Sequence, residues 1–283
     1  MPTPPRFLGN LATLFSPPAI RRLKDRGTVP AVFRALRQSG LEGATSQFSS
    51  LGEVFDFIYG LLLAHYRCEY VYKNEIAISQ LLRRHSLNAA ALINEVNVSE
   101  AKADLLLLNG TSVVYEIKTE LDSFDRLPAQ LDAYRHAFER VFVVTHLSLV
   151  ARLENVLPEG VGLLALTPRS ALREICDAES NLTRLEHGPM FNLLRREEYL
   201  SVIRRHFGST PDAPNTLIYR ACRTLFEQIP IEEAHGYLVS MLKARAQAKL
   251  DSGIVVAACP RSLRVHALVG NLTVDHLRLL TGQ

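Results

Sequence analysis

Lys102–Tyr134 reads KADLLLLNGTSVVYEIKTELDSFDRLPAQLDAY. An apolar run with one acid, Asp104 to Leu108, leads into Asn109-Gly110 and then a second apolar run, Ser112 to Lys118, which carries Glu116 and Lys118. Asn-Gly between two apolar runs is a strong hairpin signal, because both residues tolerate positive φ. Glu116 and Lys118 stand two apart, so on a strand they project from one face. Beyond them Leu127, Leu131, Tyr134 and Phe138 recur at helical spacing, with Ser123 or Asp125 as a cap and Pro128 acceptable in the first turn.

The register of this hairpin depends on its turn. A two-residue turn pairs Leu108 with Thr111, which sets Asp104 opposite Tyr115 and leaves Glu116 on the other face. A three-residue loop, Asn109 to Thr111, pairs Leu108 with Ser112 and Asp104 with Glu116. Only the second arrangement lets the two acids share a site, so the expectation is a three-residue loop or a bulge.

Upstream, Pro17 to Ala64 has the pattern of several helices, with Ser16 as a start signal and Gly27 and Gly40 as stops. Gly43 to Ser50 reads as a connector, and Leu51 to Tyr66 as a buried helix. Tyr70 to His85 has one apolar side, with Glu75 in its first turns, and Ala90 to Val98 is an extended segment. Downstream, Val141 to Thr145 and Val161 to Leu166 are short buried strands separated by a helix over Leu147 to Val156. The order α-β-β-β-α-β, with an added α-β, implies an α/β fold with a mixed central sheet and helices on its faces. From Thr167 onward the pattern is mostly helical: one helix opening at Thr167-Pro168, one or two over Met190 to Phe207, then Pro214 to Ile229, Ile231 to Leu250 and Val274 to Leu280. Gly253 to Ala258 reads as a short strand.

The chain has 283 residues, enough for one large domain or two modest ones, with 47% hydrophobic and 22% charged residues. Such a balance excludes disordered and fibrous classes. The longest apolar stretch, Phe57 to Ala64, is far short of the ~20 residues of a membrane helix. The N-terminal MPTPPRFLGNLATLF lacks the pattern of a secretory signal, so a cytoplasmic location without a membrane partner is expected. Cys68, Cys176, Cys222 and Cys259 form no C-x-x-C and no zinc pattern, and read as packed reduced thiols. The net charge of +3 is compatible with nucleic acid without requiring it. Residues 1–50 carry seven Arg or Lys against Asp25 and Glu42, 7 − 2 = +5, for which a solvated helix face is the preferred explanation. The nine histidines contain no H-x-x-x-H or H-E-x-x-H, and neither G-x-S-x-G nor a phosphate loop is present.

Hydrolysis of a phosphodiester needs an activated water and neutralisation of charge on the phosphate and leaving oxygen. Two carboxylates and a lysine can supply this. Asp104 and Glu116, with the Ile117 carbonyl, offer hard oxygen ligands for Mg²⁺ or Mn²⁺, and Lys118 then stands beside the attacking water or the phosphate. The plainer alternative is a polar strand start at Asp104 and a solvated edge at Glu116 and Lys118.

These residues resemble the PD-(D/E)XK nuclease superfamily, whose signature is an acid on one strand and E-x-K on the next, here Asp104 and Glu116-Ile117-Lys118. The branch similar to RecB-type and Holliday-junction-resolvase-like nucleases adds Q-x-x-x-Y on the following helix, here Gln130-Leu-Asp-Ala-Tyr134, and an acid on the preceding helix, in the place of Glu75. Ala103 stands where the signature has proline. The resemblance covers about Tyr70 to Thr145. It implies a restriction-endonuclease-like core over 67–167, between a helical segment 1–66 and a mostly helical region 168–283. It further implies a Mg²⁺- or Mn²⁺-dependent deoxyribonuclease. In it Asp104, Glu116 and Ile117 hold metal, Lys118 activates water or phosphate, and Gln130, Tyr134 and Glu75 support the site. The implied partner is nucleic acid, DNA before RNA, and a homodimer or a larger protein complex is compatible. The alternatives are a nuclease-fold nucleic-acid-binding module without turnover and a protein-interaction adaptor.

Overall fold

In a computed structural model the described residues are 6–25, 28–41, 43, 47–168 and 171–282. The chain forms two compact units: residues 1–84, 166–172 and 249–283 make the first, and 85–165 with 173–248 the second. Of the segment 67–167 marked out as the core from sequence, 67–84 and 166–167 therefore group with the first unit.

The first unit contains α1 (Arg6–Thr13), α2 (Pro17–Arg21), α3 (Thr28–Gln38), α4 (Leu51–His65) and α5 (Glu69–Ile76), which continues as a π-helical stretch over Ala77–Leu82. Ser16 caps α2 by accepting from Ala19 N, as its position before Pro17-Pro18 implies. Ser50 does the same for α4, accepting from Glu53 N, while the Glu53 carboxylate reaches back to Ser49. Gly40 stops α3 in a left-handed conformation (φ +68°). Gly27 lies outside the described residues, as does part of the connector before α4. The core of this unit gathers Phe15, Ile20, Leu36, Phe55, Ile58, Leu62 and Tyr72, with Phe15 and Phe55 edge to face at 5.4 Å.

The second unit holds β1 (Ala91–Val98), β2 (Ala101–Leu108), β3 (Ser112–Lys118), α6 (Leu127–Arg135), β4 (Arg140–His146), α7 (Val150–Glu154), β5 (Gly162–Leu166), β6 (Leu172–Cys176), α8 (His187–Asn192), α9 (Arg196–Phe207), α10 (Asn215–Phe226) and α11 (Ile231–Gln247). Leu166–Leu172, the β5–β6 connection, is the exception, counted with the first unit. The fold is a mixed α/β architecture with a six-stranded sheet in the order β1-β2-β3-β4-β5-β6, antiparallel between β1, β2 and β3 and parallel between β3 and β4. Every residue of β3 is buried, which is why its run is β-branched and apolar apart from its paired polar groups. On one face Leu106, Leu108 and Val114 pack against Leu127, Leu131, Tyr134 and Phe138 of α6 and its C-terminal end, and the cluster extends to α9 and α11. On the opposite face Tyr115 stacks on Phe142 at 5.6 Å, and Gly162 leaves room for that ring, since a Cβ there would lie 2.4 Å from it.

Three local expectations are corrected. Helix α6 is capped at Arg126 without a side-chain bond, because Ser123 and Asp125 bond to each other instead. Among the described residues no helix opens at Thr167-Pro168. Thr167 N bonds Ala171 O and Thr167 Oγ1 accepts from Ala171 N, a reversal that returns the chain as β6. Gly253 to Ala258 is not a strand: its backbone closes on itself through Ile254 N to Asp251 O and Ala258 N to Val255 O, forming a 3₁₀ turn over Val256–Ala258. The chain ends with α12 (Arg264–Leu268) and α13 (Val274–Thr281) in the first unit.

Candidate metal and phosphodiester site

The β2–β3 hairpin has a three-residue loop. Leu108 pairs with Ser112, Leu107 with Val113, Leu106 with Val114 and Leu105 with Tyr115. Gly110 supplies the left-handed residue (φ +97°), and Asn109 N bonds Thr111 O across the loop. Continuing this register by one step sets Asp104 opposite Glu116, both on the face covered by α6. The ladder itself stops one residue earlier. Asp104 Oδ2 accepts from Ile117 N at 2.7 Å, so a side chain replaces the backbone acceptor at that point.

Glu116 lies at the centre of a hydrogen-bonded cluster. Its Oε1 takes the Lys118 ammonium at 2.7 Å, and its Oε2 accepts the Tyr134 hydroxyl at 2.8 Å. Lys118 also donates to Gln130 Oε1 at 2.9 Å. The side chains of Lys118 and Glu116 are 10% and 3% exposed, so the pair is a buried ion pair with its polar atoms satisfied. The Lys118 carbonyl is tied to β4 by Thr145 Oγ1 at 2.7 Å. Burial first, and then the nearby charges of Glu116 and Asp104, hold the Tyr134 hydroxyl well above the usual tyrosine range, against the contrary effect of Gln130. Tyr134 is therefore a protonated donor to a carboxylate.

Asp104, Glu116, Lys118, Gln130 and Tyr134 thus converge from two strands and one helix, at the places marked out in the sequence. Glu75 belongs to the first unit, where it is 4% exposed. There its oxygens take the Tyr59 hydroxyl at 2.8 Å and the Arg261 guanidinium at 2.7 Å. Asn74 beside it bonds Arg261 O and Val265 N, so this stretch of α5 fastens the segment 261–265.

Three features gave no sequence signal. The Asp104 to Ile117 bond depends on a strand register. Thr145 looks like any β-branched strand residue until parallel pairing sets it beside Lys118. His146, in no histidine motif, has Nδ1 3.2 Å from Glu120 Oε1 and 2.8 Å from Ser148 Oγ.

The donor set fits a hard divalent cation. A carboxylate has about four lone-pair positions, so the bonds from Ile117, Lys118 and Tyr134 do not exhaust those of Asp104 and Glu116. Two carboxylates and a carbonyl suit an ion that keeps several waters. Among the described residues no group of three or more His, Cys, Asp or Glu side chains is placed to hold a metal ion. Nor is any helix among the described residues long and apolar enough to cross a membrane.

Residues 63–263 match the model of the family described as bacteriophage P4 protein cII, a range that includes every residue of this site. Protein cII of Enterobacteria phage P4 is 25% identical over 175 residues, 60% of this chain and 65% of the phage protein, so the chain spans somewhat less than two thirds of that relative's length. A solved structure, the SPO1766 protein of unknown function from Silicibacter pomeroyi, aligns with 20% identity and a TM-score of 0.29, covering 37% of this chain and 68% of the other.

Proposed function

The chain belongs to the bacteriophage P4 protein cII family, and from the cluster around Glu116 we propose that it is a metal-dependent nuclease of the PD-(D/E)XK type that hydrolyses phosphodiester bonds in DNA. The observation that carries the reading is the hairpin register, Leu108 with Ser112. It brings Asp104 to Glu116 with Lys118, Gln130 and Tyr134 bonded around them. An unconstrained polar strand edge needs no such convergence.

In this reading Asp104, Glu116 and the Ile117 carbonyl hold Mg²⁺ or Mn²⁺. The bound ion supplies charge neutralisation and a water of lowered pKa. Tyr134 fixes the orientation of the Glu116 carboxylate through Oε2. Gln130 and Glu116 fix Lys118 Nζ with two of its three N–H groups, and the third serves the phosphate oxygen or the attacking water. Glu75 supports the fold of its own unit through Tyr59 and Arg261. The test is incubation of the purified chain with linear, circular and branched DNA plus Mg²⁺ or Mn²⁺. Cleavage of one of them, lost in Asp104→Ala and Lys118→Ala, is expected. Equal activity in wild type and both variants sinks the assignment.

A second reading is a nucleic-acid-binding module with this fold and no turnover. Both Glu116 oxygens already accept hydrogen bonds, which favours a site held closed by Lys118. Calorimetry separates the two: it expects salt-dependent DNA affinity without divalent-ion binding.

A further inference from the structure

Glu95 occupies the middle of β1 with a left-handed backbone, φ 58°, a region that L side chains rarely adopt in strands. Its place in the sheet is specific. Asn94 pairs with Leu105 and Val96 with Ala103, the same register on both sides, and the pairing skips only the step of Glu95 against Asp104. No residue is inserted, so this is a local twist and not a bulge. On the other edge of β2 the pairing with β3 stops at Leu105 with Tyr115, one residue short of Asp104. Asp104 is thus passed over by both ladders, and its carboxylate takes the Ile117 N–H instead.

Extended through the gap, the two registers align Glu95, Asp104 and Glu116 as a row of three acids across β1, β2 and β3. Like charges directly opposite one another are unfavourable. The Glu95 carboxylate forms an ion pair with the Lys102 ammonium, its diagonal neighbour on β2.

We infer that Glu95 is a positioning residue for Asp104. Its left-handed conformation holds the β1–β2 ladder open at one step, so that the Asp104 carboxylate is set by Ile117 N–H on the face of Glu116. The functional consequence rests on the metal-site reading above; the geometric claim stands apart from it.

Nuclear magnetic resonance of the full chain separates the two. The Ile117 amide, bonded to a carboxylate, has a shift that Asp104→Ala abolishes, and this shift reports positioning whether or not metal binds. Glu95→Gly keeps the left-handed conformation at no steric cost; Glu95→Val excludes it. The Gly variant is expected to keep the Ile117 signature and Mn²⁺ affinity. The Val variant is expected to move Ile117 to its position in Asp104→Ala and to weaken Mn²⁺ binding by about tenfold or more. Should Val prevent folding, Glu95→Ala takes its place, with the same expectation in smaller measure. An Ile117 amide unmoved in the folded Val or Ala variant, or lost in the Gly variant, overturns the inference. Wild-type protein that keeps the Ile117 signature but takes up no Mn²⁺ upholds the positioning and overturns the metal reading alone.

Discussion

The Tyr134 hydroxyl donates to Glu116 Oε2 at 2.8 Å, while the other oxygen of the same carboxylate takes Lys118 at 2.7 Å. A residue of the α6 apolar stripe therefore ends on the most buried acid of the sheet. Tyr134→Phe keeps the stripe and deletes the donor. It is expected to destabilise the protein by about 2 kcal/mol, the worth of a buried hydrogen bond to a charge, measured by urea unfolding, and to lower DNA cleavage without abolishing it.

Lys118 and Glu116 stabilise each other only as a pair. Lys118→Ala leaves a buried carboxylate with Tyr134 alone and is expected to cost about 3–5 kcal/mol. Replacing both by apolar residues of similar size, Glu116→Leu with Lys118→Met, should recover most of that stability while cleavage stays absent. A double-mutant cycle from denaturant midpoints measures the coupling. Additive losses would show that the buried pair is not coupled.

Alkaline pH acts on the tyrosines. Tyr134, Tyr59 and Tyr70 are all held above the ordinary value of 10, each first by burial. Below pH 10 both folded and unfolded chains keep these protons, so their contribution is fully present. Above it the unfolded chain loses them first, and stability falls as pH rises. Spectroscopic titration should find these three tyrosines silent until the protein unfolds.

Acid pH acts on His266. Burial lowers it from 6.5 to about 4. Its Nε2–H faces Phe15 O at 2.8 Å and its Nδ1 faces the Asn271 amide at 3.1 Å, so a neutral ring is satisfied and a second proton displaces the Asn271 donor. Between these values the unfolded chain binds the extra proton. Stability is therefore present above about pH 6.5 and is lost as pH falls toward 4, by on the order of 3 kcal/mol. His235, also lowered by burial, adds in the same sense. In His266→Gln the acid slope of the urea midpoint should shrink.

Much of the site was legible because its determinants are local. The E-x-K spacing places two side chains on one strand face, and Gln130 and Tyr134 lie one turn apart on a helix, whatever surrounds them. The same holds for the helices opened by Ser16 and Ser50, whose caps bond within three residues. The errors were of the opposite kind. The residues at Thr167-Pro168 and Gly253–Ala258 have ordinary local signals for helix and strand. Which backbone partner is within reach decided them, a reversal onto β5 in one case and closed turns in the other.

Sequence by itself determined the order of elements from Tyr70 to Leu166, the positions of the acids and lysine on them, and the requirement that the Asn109-Gly110 turn be longer than its dipeptide suggests. Tertiary structure decided the rest: the pairing of Leu108 with Ser112 that meets that requirement, the capture of Ile117 N–H by Asp104, and the left-handed Glu95 that faces it. It also assigned Glu75 to the network of Tyr59 and Arg261. Spacing along a chain fixes which face a side chain takes. Only the neighbouring strand, through its hydrogen bonds and charge, fixes what that face meets.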